Sequence, residues 1–198
     1  MKKAILNKSY WDNRYINHQT GWDLGEISPA IKKWFDNQKN KELKILIPGA
    51  GSGYEVKYGF ENGFKNIYYL DLSYEVASRF KINNPQIPVS QVLIKDFFEF
   101  QQNDFFDVII EQTFFCAINP RLREKYITKA QTLLTDVGKI IGLLFNEKFD
   151  TELPPFGGTS KEYEILFSKK FIIKKLEKAN NSITHRKGHE LWIEFMKK

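Results

Sequence analysis

Apolar positions along this chain switch between two spacings, and the switching predicts the order of its elements. Short apolar runs predict strands at 43–48, 67–71, 90–95, 107–112 and 138–145. Between them, helical spacing predicts helices at about 54–62, 74–82 and 121–134. The last is the plainest, because Asn119-Pro120 marks its start and Leu122, Tyr126, Ala130 and Leu133 recur at helical intervals. A further helix is predicted at 160–168, followed by strands at 171–178 and 189–196. The polar loop around Asn180-Asn181 and Arg186-Lys187-Gly188 suits an antiparallel pairing of those two strands. Upstream, Ser9 to Asn17 reads as a helix with Trp11 and Tyr15 on one face. Ser28-Pro29 reads as an N-cap with proline at the first helical position, and Ile31, Trp34 and Phe35 give that second helix an apolar stripe. Strands alternating with helices imply a mostly parallel sheet covered on both faces, with ligands beyond the carboxyl ends of its strands.

Length and composition narrow the class. With 198 residues the chain suits one domain, and 17 Phe, 9 Tyr and 4 Trp can fill its core. No apolar run approaches the roughly 18 residues that a membrane span needs. The basic start, residues 1–7, has too short an apolar stretch for a signal peptide. A single cysteine, Cys116, excludes an internal disulfide and a cysteine-cluster metal site, so no metal is expected and a reducing, cytoplasmic setting fits. The net charge of +6 lies entirely in residues 169–198, which hold nine Lys or Arg against three Asp or Glu. Those lysines interleave with Phe171, Ile172, Ile173, Leu176, Leu191, Ile193 and Phe195, as strands with one solvated face do, so neither nucleic acid nor membrane is expected as a partner.

The strand ends carry the chemistry. Strand one runs into Gly49-Ala50-Gly51-Ser52-Gly53-Tyr54. A dinucleotide turn would place its third glycine at 54, and a phosphate loop would continue with Gly-Lys-Ser/Thr; neither is present. Glycines at 49, 51 and 53 fit the class I methyltransferase pattern, in which the loop lies against S-adenosylmethionine. Asp71, ending strand two, can accept both ribose hydroxyls; its other reading is to cap the next helix together with Ser73. Asp96 and Phe97, ending strand three, can accept the adenine amino group and cover its ring. Nucleic-acid adenine methyltransferases carry Asp/Asn-Pro-Pro-Tyr/Phe after strand four. Here Leu153-Pro154-Pro155-Phe156 follows strand five and begins with a side chain that cannot hold an amino group.

Several segments together resemble the thiopurine S-methyltransferase family. They are Tyr10-Trp11-Asp12-Asn13-Arg14-Tyr15, Thr20-Gly21-Trp22-Asp23-Leu24-Gly25, the loop from Ile47 to Tyr54, and Leu70-Asp71-Leu72-Ser73. The stretch from Phe106 to Arg121, and Pro154-Pro155-Phe156 with Glu162-Tyr163, extend the resemblance over nearly the whole chain. Phe114-Phe115-Cys116-Ala117-Ile118 is closer to the plant thiol and halide branch than to the animal thiopurine enzymes. The resemblance implies an α/β Rossmann-like class I methyltransferase fold: a seven-stranded, mostly parallel sheet with an antiparallel C-terminal strand and an N-terminal helical lid. It implies one domain over 1–198, with the lid at 1–40 and the core at 41–198. Trp11 and Trp22 would cover the cofactor with Tyr15 nearby, Gly49 and Asp71 would contact its methionyl and ribose parts, Asp96 and Phe97 its adenine, and Gln112 its methionyl end. Relatives often have cysteine where Ala50 stands, and tyrosine or arginine where Gln112 stands.

The expected activity is methyl transfer from S-adenosylmethionine, leaving S-adenosylhomocysteine, to a small thiol, a thiopurine-like heterocycle or an inorganic anion such as thiocyanate or halide. An acceptor that arrives ionised needs no strong protein base, and His18, His185 and His189 are scattered along the chain. Asp23 is the candidate polar group near the acceptor, although local capping of the turn at Gly25 explains it equally. Phe115, Phe145 and Phe156 are candidate walls of an apolar acceptor pocket, against ordinary core packing. A monomer is expected. The alternatives are a methyltransferase for oxygen or nitrogen of a small metabolite, and a cofactor-binding protein without turnover.

Overall fold

The computed structural model describes residues 6–198, and the first five residues of the basic start lie outside that range. Seven strands form one sheet: β1 (Ile45–Pro48), β2 (Ile67–Asp71), β3 (Val92–Ile94), β4 (Phe106–Gln112), β5 (Leu134–Phe145), β6 (Phe171–Lys178) and β7 (Glu190–Lys197). Their order is β3-β2-β1-β4-β5-β7-β6. β1 to β5 pair in parallel, while β7 runs antiparallel to both of its neighbours, β5 and β6. The sheet is α/β and mostly parallel, with its reversed strand at the C-terminal end of the sequence. The strand order changes direction between β1 and β4, the topological switch point at which open α/β sheets bind ligands.

Alternation along each strand sends side chains to two cores. Leu46 of β1, Leu70 of β2 and Ile109 of β4 enter one cluster, covered by α5 (Arg123–Leu133) and α6 (Ser160–Phe167) through Tyr126, Ile127, Tyr163 and Phe167. Ile45 and Ile47, Ile67 and Tyr69, and Val108 and Ile110 face the other way. There they meet α2 (Pro29–Asn37), α3 (Tyr54–Glu61) and α4 (Tyr74–Asn83) through Trp34, Phe35, Val56, Ala77 and Phe80. Burial on both faces explains why these strands read as continuous apolar runs rather than alternating ones.

Some boundaries differ from the sequence reading. β3 is shorter than expected, because Val89–Gln91 forms a 3-10 turn after Pro88 and the Gln91 amide donates to the Lys65 carbonyl at 2.6 Å. Pro120–Leu122 also forms a 3-10 turn, so α5 starts at Arg123; it ends at Leu133, where β5 begins at once and pairs Leu134 with Phe106. Ser28 stands at the N-cap of α2 but its hydroxyl makes no capping bond. Instead its N–H donates to the buried Glu55 carboxylate at 3.4 Å.

α1 (Lys8–Ile16) lies outside the sheet layers and packs on α4. Asp12 fixes it there: one carboxylate oxygen accepts the Ser73 hydroxyl at 2.6 Å and the Glu75 N–H at 3.2 Å, at the first turn of α4. Among the described residues no helix is long and apolar enough to cross a membrane.

Candidate functional site

Beyond the carboxyl ends of β1, β2, β3 and β4 lies a cavity of about 530 Å³. Its floor is the turn after β1. Gly49 and Gly51 hold φ of +59° and +52°, which glycine alone adopts without strain. A Cβ on Gly49 would run into the Phe114 ring, and one on Gly51 would meet the Tyr15 hydroxyl at 2.9 Å. Close approach is therefore needed on both sides of the turn.

Asp71 joins this floor to the next strand. One of its carboxylate oxygens accepts the Gly51 N–H at 2.9 Å and the other accepts the Ser73 N–H at 2.8 Å. Burial pushes its carboxyl up to about 6, against those backbone donors, which favour the charged form. Each oxygen keeps a lone pair for a ligand, and Asp71 lines the cavity. Asp96 follows β3, lines the cavity and accepts the Phe98 N–H at 2.7 Å.

The turn after β4 is built on Glu111. One oxygen of this buried carboxylate accepts the N–H groups of Phe114 and Phe115 at 2.9 and 2.7 Å, and the other accepts the Tyr126 hydroxyl at 2.8 Å. Burial raises its carboxyl to about 7, opposed by those three donors. The turn passes through Thr113 at φ +58° and delivers Phe114, Cys116, Ala117 and Ile118 to the cavity wall. Burial, with the Glu111 charge adding to it, pushes the Cys116 thiol up to about 12. Above this wall sit Pro154 and Pro155. Their segment is tied down by the Phe156 N–H donating to the Cys116 carbonyl at 2.7 Å, and by Arg123 donating to the carbonyls of Phe156 and Gly157 at 3.1 and 2.8 Å.

Aromatic side chains from the N-terminal segment close the opposite side. The Trp22 ring meets Trp11 edge-on at 5.6 Å and Tyr15 edge-on at 5.8 Å, and all three line the cavity. Burial, with the nearby Asp71 charge, raises the Tyr15 hydroxyl above its ordinary value, so it stays protonated. Trp22 is held from the far end of the chain, where the buried Arg186 donates to its carbonyl at 2.8 Å.

The structure thus brings Trp11, Tyr15, Trp22, Gly49, Asp71, Asp96 and Phe97 to one cavity. Phe97 is only 3% exposed and stacks on Tyr126 at 5.2 Å, so the ring with more surface on this wall is its neighbour Phe98. Gly51 lies one layer beneath, holding Asp71, and Gly53 is the N-cap of α3. Gln112 borders a side cavity of about 50 Å³ that shares Trp22, Gly49 and Thr113 with the large one. Its side-chain oxygen is buried and has no partner.

Four of the expected site residues lie elsewhere. Asp23 accepts the Gly25 N–H at 2.8 Å and the Ser52 hydroxyl, pinning the N-terminal segment to the glycine turn outside the large cavity. Phe115 is 1% exposed and packs against Tyr126, Tyr163 and Phe167 in the core. Phe145 lies between Phe149 and Arg186, and Phe156 contributes its backbone rather than its ring. The wall residues that sequence reasoning missed include Lys95, Phe98, Phe114, Ile118, Arg121, Leu122, Pro154 and Pro155. Proximity to strand ends was the available signal for Lys95, Phe98 and Phe114. Among the described residues no group of three His, Cys, Asp or Glu is placed to hold a metal ion.

A glycine turn and two strand-end acids thus meet at one cavity at the switch point of the sheet, and comparison with known proteins shows the family. The sequence profile described as thiopurine S-methyltransferase matches residues 6–197. The chain belongs to the thiopurine S-methyltransferase family. It is therefore an S-adenosylmethionine-dependent methyltransferase. Among relatives of this family, a protein named probable thiol methyltransferase 2 from Arabidopsis thaliana is 29% identical over 157 residues, covering 78% of this chain and 69% of the relative. Thiocyanate methyltransferase 1 from Brassica oleracea is 27% identical over 184 residues, covering 91% of this chain and 81% of the relative. The same fold recurs in the 1,6-didemethyltoxoflavin-N1-methyltransferase of Burkholderia thailandensis, solved with 1,6-didemethyltoxoflavin and S-adenosylhomocysteine. That structure superposes with a TM-score of 0.76 at 15% identity, covering 96% of this chain and 87% of the other.

Proposed function

We propose that this protein, acting as one domain and as a monomer, methylates a small thiol, a thiopurine-like heterocycle or an inorganic anion. The cofactor supplies an activated methyl carbon on a sulfonium, so bond making needs only an aligned nucleophile. The free lone pairs of Asp71 suit a ribose diol, and Asp96 with Phe97 and Phe98 suits adenine. Gln112, which borders the side cavity with Trp22 and Gly49 and whose buried side-chain oxygen has no partner, suits the amino group of the methionyl end. Trp11, Tyr15 and Trp22 cover that end and exclude water. Gly51 and Gly53 act beneath them by shaping the turn.

The observation that carries the acceptor reading is the wall opposite the strand-end acids. Phe114, Cys116, Ala117, Ile118, Leu122 and the two prolines make it apolar. Among the described residues, the titratable groups of the cavity are Tyr15, Asp71, Lys95, Asp96, Cys116 and Arg121, with no histidine among them. Tyr15 and Cys116 hold their protons, and Asp71 is engaged by two backbone donors. A soft nucleophile that is already ionised suits such a wall, whereas an alcohol or amine would have to give up a proton there. Alignment of the reacting atoms by these walls can contribute about 7–11 kcal/mol.

The test combines binding with turnover. Calorimetry should detect both S-adenosylmethionine and S-adenosylhomocysteine binding to the protein, and binding of neither sinks the cofactor assignment. A panel of alkyl and aryl thiols, thiocyanate, iodide, phenols and amines should yield product only with the sulfur and halide acceptors. Methylated phenol or amine would move the activity to oxygen or nitrogen. Tight cofactor binding without any product would leave a binding protein.

A further inference from the structure

Arg121 stands apart from the other arginines of the chain. Arg79 pairs with Glu75 at 2.6 Å, and Arg186 pairs with Glu190 while donating to Trp22. Arg123 donates to two carbonyls, and Arg14 lies over the Trp22 ring. Among the described residues the Arg121 guanidinium makes no ion pair, and only its backbone N–H is bonded, to the Asn119 side chain at 3.0 Å. It nevertheless lines the large cavity while being exposed, which places it at the mouth. Its backbone is held by the proline-led 3-10 turn and the Asn119 cap, so the head group alone has freedom.

The wall beside it consists of Ile118, Leu122, Pro154 and Pro155. An arginine at the rim of an apolar chamber fits a molecule with a soft end and a planar anionic end. Two parallel N–H···O bonds from a guanidinium match a carboxylate, which a lysine matches only as a point charge. Lys95, the other cation lining this cavity, lies at the β3 end with its ammonium over the Phe100 ring, so Arg121 is the better placed of the two for a planar anion. The acids Asp71 and Asp96 would repel the same anion from the strand-end side, and so set its direction of entry.

We propose that the acceptor is a thiol bearing a carboxylate, with the carboxylate received by Arg121 at the cavity mouth. This rests on the thiol methyltransferase reading above. Arg121 is then a specificity residue: it selects among thiols and takes no proton.

A matched pair of acceptors, 4-mercaptobenzoate and its methyl ester, tests this with the full chain and S-adenosylmethionine. The wild-type protein should favour the acid in kcat/KM by about threefold or more, a fair size for an exposed ion pair. That preference should shrink at high salt as the pair is screened. Arg121→Gln should raise KM for the acid by about three- to tenfold and move the ester by less than about twofold, with Arg121→Lys between. In calorimetry on protein saturated with S-adenosylhomocysteine, 4-(methylthio)benzoate should bind correspondingly more weakly to Arg121→Gln. Equal kcat/KM for acid and ester in the wild type, or equal losses for both in the variant, would overturn the assignment while leaving the thiol activity intact. If neither compound is methylated, the thiol reading fails and this assignment with it.

Discussion

Asp71 is positioned before any ligand arrives, because each carboxylate oxygen already holds a backbone N–H. The same burial that fixes it raises its carboxyl to about 6, so its charge, and its capacity to accept two hydroxyls, is lost just below neutrality. Affinity for S-adenosylhomocysteine should therefore be full near pH 8 and weaken as pH falls through about 6. Calorimetry across that range should also show Asp71→Asn weakened about tenfold or more at pH 8, with a flattened profile; an unchanged wild-type profile would refute the role. Asp71 and the glycine turn were legible in the sequence because their signals are local: a left-handed backbone that favours glycine, and an acid at a strand's carboxyl end. Phe115, Phe145 and Phe156 were not, since which way an aromatic ring faces is settled by packing between distant elements. Tyr126 and Tyr163 draw the Phe115 ring inward, while Phe114, one residue earlier, reaches the cavity.

At the level of elements, α1 carries two of the three aromatic side chains that cover the cavity, yet it meets the body of the protein mainly at α4. Asp12 makes that attachment through the Ser73 hydroxyl and the Glu75 N–H, and Ser73 in turn donates its own N–H to Asp71. The cover and the strand-end acid thus share one residue. Asp12→Ala should loosen α1 and speed dissociation of S-adenosylhomocysteine several-fold in stopped-flow measurements. The melting temperature should change little, because α1 adds only Tyr15 to the buried set. A large melting shift with unchanged dissociation would contradict this view of α1 as a cover. Helices and strands were legible here because period 2 and period 3.6 are properties of a single segment. The latch was not, as a lone aspartate on an amphipathic helix gives no sign of its partner 61 residues away.

Across the whole molecule, acids are buried along with the two apolar layers, Glu55 on α3 and Glu111 on β4. Burial lifts Glu55 and Glu111 to about 7, well above the ordinary glutamate value of about 4.3. Between those values the folded protein holds protons that the unfolded chain releases, so their contribution to stability is present at low pH and lost as pH rises through about 7. Melting temperature should accordingly fall between about pH 5 and pH 8. Glu55→Gln should flatten that fall without touching the network that positions the cavity wall, and a slope identical to the wild type would refute the assignment. A mostly parallel sheet covered on both faces could be anticipated from the alternation of elements, whereas the strand order, with β7 inserted between β5 and β6, could not. The burial of Glu55 could not, because its sequence neighbours place it on a helix without saying that the N-terminal segment closes over it.

The bond from Arg186 to the Trp22 carbonyl spans 164 residues of sequence. Arg186 stands in the connection between β6 and β7, and β7 is the strand inserted last, between two already made. Synthesis therefore produces the glycine turn and the strand-end acids long before the clamp that holds their aromatic cover. If Trp22 covers a bound nucleoside as proposed, a nascent chain that has emerged only through β5 would hold the glycine turn and the strand-end acids without this clamp, and retention of the methyl donor would be expected to begin only when the C-terminal hairpin docks.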